Sequence, residues 1–197
     1  MFVQCIRARV RDREALERAR HRWETELAPA AIGFVGSTGG ITPAGEVVLL
    51  ARFESAAAAA ENGNRPEQDA WWSEMVATLD GEPTVRDTED VDVVFDHGCD
   101  EAGFVQIMTG SGDPTRLKDL NARFAAEASQ LRPDLVGGYS CFFADGTFAD
   151  VSYFTSEADA RAAESQEMPE AVQALFGELG GAVSDLEYHD LGEPWIV

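Results

Sequence analysis

Lysine is almost missing from this chain. Lys118 is the only one among 197 residues, against fourteen arginines, and the 36 acidic residues leave a formal charge of −21. Such a surface repels the phosphates of nucleic acid and of anionic membrane, so neither is expected as a partner. Cysteine is scarce too. Cys5, Cys99 and Cys141 are odd in number and show no CxxC spacing. That excludes a disulfide framework and fits buried or free thiols in a reducing cytoplasm. No apolar run approaches the roughly 20 residues needed to cross a bilayer, and the first residues show no basic-then-apolar secretion leader. No GxGxxG or Walker spacing occurs either. "GSTGG" at 36–40 and "GSGDP" at 110–114 read as backbone turns, not phosphate cradles.

What is present is a repeat. With 45% hydrophobic residues the chain has material for a real core. It opens on Phe2-Val3-Gln4 and returns to Phe104-Val105-Gln106. Val35-Gly36 recurs as Val136-Gly137, Gly45 as Gly146, Phe53 and Ser55 as Phe154 and Ser156, and Pro66-Glu67 as Pro169-Glu170. Leu79 with Gly81 recurs as Leu179 with Gly181. Fixed order and near-constant offset point to one domain written twice, over 1–99 and 103–197.

Each copy has the same grammar. The segment 2–10 alternates like a half-buried strand. A helix over 12–27 follows, capped by Asp12, with Leu16, Ala19, Trp23 and Leu27 on one stripe. Two strands, 32–41 and 46–53, flank a turn at "TPAG"; Ala144-Asp145-Gly146 makes the same turn in copy two. Ser55 caps an alanine-rich helix, Pro66 starts another that runs to about Leu79, and 84–95 reads as the last strand. The order β-α-β-β-α-β predicts an α+β chain of two tandem ferredoxin-like units, each a four-stranded sheet with its helices on one face. The bare faces are expected to cover each other, packing sheet to sheet as an α+β barrel. An internal pseudo-dimer of this kind is expected as a monomer or a weak homodimer.

The strand "FVQCIRARV", the hairpin "GEVVLLARFES" and the stretch "NRPEQDAWWSEM" resemble the dimeric α+β-barrel superfamily, in particular its antibiotic-biosynthesis-monooxygenase-like group. The resemblance covers both halves. It implies a small-molecule-binding protein similar to cofactor-independent monooxygenases, with a small aromatic or polyketide-like ligand. No metal or other cofactor is implied, because an electron-rich substrate carbanion reacts with oxygen itself while the protein binds, deprotonates and desolvates it. By the same resemblance Asn62 or Asn64, Trp71 or Trp72, and Arg52 border the pocket. Copy two reads "SQEMPEAVQALFGEL" there, so the first copy is expected to keep the site and Phe176 to be core. The alternative is a non-catalytic binding or interaction module whose pocket is filled by side chains, with no void above roughly 300 Å³.

Other candidates come from the residues themselves. Gln4 and Gln106 are in phase with Phe2 and Ile6, or Phe104 and Met108, on a barrel-lining face; Val3 and Cys5 would then face the helices. These amides either orient a ligand or satisfy neighbouring backbone. Trp71 and Trp72 lie about 100° apart on a helix, so both cannot easily point the same way; either one of them lines a pocket or they serve core or interface packing. Trp23 and Trp195 read as packing residues. His21, His97 and His189 read as surface or loop histidines, and His97-x-Cys99 has no partner cluster for a metal. The arginines crowded between Arg7 and Arg22 read as a solvated helix paired with acidic neighbours, for example Glu14 with Arg18.

Overall fold

The computed structural model describes residues 1–96 and 99–197, without the side chains at 96 and 128–130. It divides into two compact units, Met1–Glu89 with Trp195–Val197, and Asp90–Pro194.

The first unit opens with strand β1 (Phe2–Arg9) and helix α1 (Arg13–Arg22). Asp12 caps α1, its side chain accepting from the Ala15 N–H at 3.0 Å. The helix widens into a π turn over Trp23–Leu27 and tightens into a 3₁₀ turn over Ala28–Ala30 around Pro29. Strands β2 (Phe34–Ile41) and β3 (Glu46–Phe53) form the hairpin, followed by helices α2 (Ala56–Gly63) and α3 (Pro66–Val76) and strand β4 (Thr84–Thr88). Ser55 caps α2 through the Ala58 N–H at 3.1 Å. Leu16, Leu27, Val47, Trp71, Met75 and Leu79 close the core between helices and sheet.

The second unit contains strand β5 (Val91–Asp96), β6 (Phe104–Gly112), helix α4 (Pro114–Leu131), β7 (Leu135–Phe142) and β8 (Thr147–Phe154). Helices α5 (Glu157–Glu164) and α6 (Glu170–Gly180) and strand β9 (Val183–Leu191) complete it; the chain ends with β10 (Trp195–Ile196). Its core includes Leu117, Phe142 and Phe148, and separately Phe104, Phe154 and Ala160.

Each sheet has five strands rather than four. The orders are β10-β2-β3-β1-β4 and β5-β7-β8-β6-β9. The expected single strand over 84–95 is therefore two strands. It breaks at Glu89-Asp90; Thr84–Thr88 pairs with β1, and Val91–Asp96 pairs with β7. β10 pairs with β2 in the matching position. Thus the segment after each copy's last strand adds an edge strand to the other copy's sheet. The βαββαβ order itself stands in both units.

The repeated glycines have a common cause. Gly45 and Gly146 sit at φ 78° and 82° in the two hairpin turns, a region costly for residues with a Cβ. Gly36 and Gly137 follow β-bulges in β2 and β7. A Cβ on Gly36 would lie 2.5 Å from the Arg52 guanidinium, and one on Gly137 2.0 Å from the Cys99 sulfur. "GSTGG" belongs to β2 and the first residues of "GSGDP" to β6, so these stretches are strand, not turn.

The arginine-rich helix is paired as its spacing predicts. Arg13–Glu17, Arg18–Glu14, Arg20–Glu24 and Arg22–Glu26 are all i,i+4 ion pairs. Among the described residues no helix is long and apolar enough to cross a membrane, and no three His, Cys, Asp or Glu side chains are grouped to hold a metal.

Candidate functional site

Each unit contains a cavity between the helix-bearing face of its sheet and its own helices. The first holds about 670 Å³ and the second about 720 Å³. Both fall in the range of small-molecule pockets.

The first cavity is floored by Gln4, Ile6, Leu49 and Ala51 and walled by Leu16, Trp23, Trp71 and Trp72. The period-2 alternation of β1 is as expected, but its sides are exchanged. Phe2, Gln4 and Ile6 point toward the helices, whereas Val3, Cys5, Val48 and Leu50 occupy the opposite face and are also buried. Desolvation in that position pushes the Cys5 thiol up to about 11.

Aromatic rings run along this cavity in contact. Trp72 to Trp71 is 6.3 Å between centroids, Trp71 to Trp23 6.0 Å, Trp23 to Phe34 4.8 Å and Phe34 to Phe53 5.8 Å. Trp71 is buried, and its indole N–H donates to the Ala19 carbonyl at 2.7 Å. Trp23 donates to Gln68 Oε1 at 3.0 Å. The C-terminal strand supplies Trp195, whose ring lies 5.2 Å from the Arg20 guanidinium carbon. All four tryptophans of the chain therefore border one cavity. Trp23 and Trp195 were expected only to pack. The stripe of α1 carried the signal for Trp23; nothing local marked Trp195, because a strand from the far end of the chain brings it in.

The polar candidates separate by role. Gln4 Nε2 lies 3.4 Å from Asp87 Oδ1 on the neighbouring strand. Asn62 is buried, and its Oδ1 accepts from the Ile32 N–H and from Arg65, each at 3.1 Å. It thereby ties the end of α2 to the chain entering β2. Asn64 is exposed at the cavity rim as the C-cap residue of α2. Arg52 does not line the cavity. It alternates to the opposite face of β3, beside Gly36.

The second cavity is chemically different. Gln106 repeats Gln4, donating to Asp190 at 2.8 Å, and Asp190 is ion-paired with Arg161. Arg161 stacks 5.2 Å from the Phe104 ring centroid. Asp150 on β8 borders the cavity as well. Its Oδ2 accepts from Ser140 at 2.6 Å, its Oδ1 from Ser152 at 3.4 Å, and Asn121 on α4 donates to Ser140 at 2.9 Å. Desolvation raises the carboxyl pKa; the Ser140 and Ser152 hydrogen bonds oppose that shift, and the nearby Asp92 adds to it. Polar groups thus survive in copy two, on β7, β8 and α4 rather than in the helical stretch where copy one has its Asn and Trp residues. Phe176 is 43% exposed at this cavity's edge, edge-on to Phe124 at 5.6 Å. It is not core.

Among the histidines, His21 is exposed on α1 and His97 lies outside the described residues. His189 is not in a loop. It is buried within β9, its Nε2 3.2 Å from Thr109 Oγ1, on the face away from the cavity.

No protein-family model and no curated protein matches this chain. Solved structures do share its fold. A protein from Fusobacterium nucleatum proposed to be a monooxygenase aligns over 96% of this chain and 90% of its own, with TM-score 0.77 and 8% identity. One from Lactobacillus acidophilus, also proposed to be a monooxygenase, aligns over 100% and 99%, with TM-score 0.69 and 10% identity. An anthrone oxidase-like protein aligns over 99% and 92%, with TM-score 0.68 and 9% identity. The chain therefore shares the α+β fold of these solved structures, with two ferredoxin-like units in one polypeptide.

Proposed function

We propose that the protein binds a small aromatic or polyketide-like molecule in the first cavity and acts on it in the manner of a cofactor-independent monooxygenase. The observation that carries this reading is the wall of that cavity. Four tryptophans, Phe34 and Phe53 present flat apolar surfaces around about 670 Å³, and aromatic faces of this kind hold polycyclic rings by stacking and desolvation. Gln4 on the floor, and Asn64 and Trp72 at the edge, are placed to orient a carbonyl or hydroxyl. The fold shared with an anthrone oxidase-like protein supports an electron-rich polycyclic ligand. Such a substrate, once deprotonated, reduces oxygen itself, and the protein's part is to bind, remove a proton and exclude water.

A thermal-shift screen with anthrone and related polycyclic phenols, followed by oxygen uptake in the presence of a chelator, tests this reading. Ligand at about 100 times its Kd should raise the melting temperature by about 5–10 °C, and anthrone should drive oxygen uptake. A shift without uptake would leave a non-catalytic binding module. No shift with any aromatic compound would remove the reading altogether.

A further inference from the structure

We propose that the second cavity is a separate proton-transfer site, in which the Asp150 carboxyl takes a proton from the acidic O–H or enolisable C–H of a neutral, largely apolar ligand. This inference does not rest on the reading of the first cavity.

Its first support is placement. Asp150 stands on β8 at the register position opposite Met108 of β6, and both border a cavity of about 720 Å³ whose other walls include Leu120, Phe124 and Leu175. A charge taken from water is costly unless paired. Among the described residues no cation forms an ion pair with Asp150; hydroxyls hold it instead.

The second support is the direction of those hydrogen bonds. Asn121 donates to Ser140, which donates at 2.6 Å to Asp150 Oδ2. Oδ2 is therefore committed. Among the described residues Oδ1 receives only the long 3.4 Å contact from Ser152, so it is the oxygen left to meet a ligand proton. In the step, Oδ1 forms an O–H bond, the ligand's O–H or C–H bond breaks, and its electron pair stays on the ligand as a phenolate or enolate. No oxidant or metal enters this balance. Ser140 and Asn121 are positioning residues.

The third support is the electrostatic setting. Desolvation raises the Asp150 carboxyl pKa, and among the described residues the charge of Asp92 on β5 adds to that shift, in the direction that suits an acid or base. The cations bordering the cavity are occupied elsewhere: Arg132 pairs with Asp134, and Arg161 with Asp190 and Glu164. Among the described residues, Glu167 on the α5–α6 connection, Tyr139 on β7 and Tyr188 on β9 are the remaining titratable groups on its walls, and α4 and α6 contribute none.

The test uses the full chain with 4-nitrophenol and its methyl ether, 4-nitroanisole, as probes, and carbon-13-labelled aspartate for carboxyl NMR. Wild type should bind 4-nitrophenol about tenfold more tightly than the ether, and Asp150→Asn should narrow that ratio to about twofold or less. In wild type one carboxyl resonance should titrate above the ordinary aspartate range and shift on adding 4-nitrophenol. That measurement decides the matter even if the variant does not fold. Equal affinity for the two probes in wild type, or no high-titrating carboxyl that responds to 4-nitrophenol, would overturn the proposal.

Discussion

Leu49 and Asp150 occupy the same position in the two copies. Each is the fourth residue of the hairpin's second strand, each sits opposite the matching residue of the first strand (Ile6 or Met108), and each borders its unit's cavity. One duplicated position thus carries an apolar side chain in the first cavity and a desolvated carboxyl in the second.

That carboxyl should govern a pH dependence of stability. Its folded-state pKa lies above the unfolded value, so its contribution is fully present below the unfolded pKa and is lost as pH rises through the folded pKa. Asn at position 150 cannot ionise and can still accept one hydroxyl and donate to the other. The difference in melting temperature, Asp150→Asn minus wild type, should therefore grow more positive as pH rises from below the unfolded carboxyl pKa through the folded one, and level off above it. Thermal melts across that range check it, and a flat difference would contradict it.

Trp71 and Trp72 should behave differently although they are adjacent. Trp71 is buried with its N–H bonded to the Ala19 carbonyl, so Trp71→Ala should cost about 3–5 kcal/mol in denaturant unfolding. Trp72 is half-buried at the cavity, so Trp72→Ala should cost less stability and mainly weaken binding of an aromatic ligand.

Asn62→Ala should read as a structural lesion. It leaves the Ile32 N–H and the Arg65 guanidinium without their shared acceptor, at a cost of about 1–3 kcal/mol. Asn64→Ala, at an exposed helix end, should stay within about 0.5 kcal/mol of wild type while reducing ligand affinity. Equal stability losses in the two variants would contradict this division.

Much of the fold could be read from local chemistry. Asp12 and Ser55 are side-chain caps, Gly45 and Gly146 are positive-φ turn residues, and the Val-Gly pairs mark bulges, all within a few residues of their cause. The cavities were harder to read. Alternation in "FVQCIRARV" defines two faces of β1 but does not say which meets the helices, so it groups Gln4 with Phe2 and Ile6 correctly and leaves the side open. The same alternation runs on through "TVRDTEDVDVVFD" and hides the break at Glu89-Asp90, where pairing partners rather than pattern separate β4 from β5. Asp150 carries no such signal, because in "TFADVSYF" a lone aspartate between apolar residues looks like the solvent side of a strand. Only the helices packed over that face reveal it as a cavity residue.

Cys5 should be chemically silent. With its thiol held up to about 11 by burial, it stays protonated at pH 8 and should resist alkylation by iodoacetamide in the folded protein, reacting only after denaturation. Mass spectrometry of the alkylated peptide checks this, and rapid native-state labelling of Cys5 would contradict it.

The tryptophans offer the most direct test of an aromatic ligand in the first cavity, because all four of them border that cavity and none borders the second. Intrinsic fluorescence therefore reports on one site. Titration with anthrone should quench the tryptophan emission saturably with one-to-one stoichiometry, and Trp72→Ala should weaken the midpoint by about tenfold, or 1.4 kcal/mol. Binding detected by calorimetry with no change in tryptophan emission, or quenching that never saturates, would contradict the account.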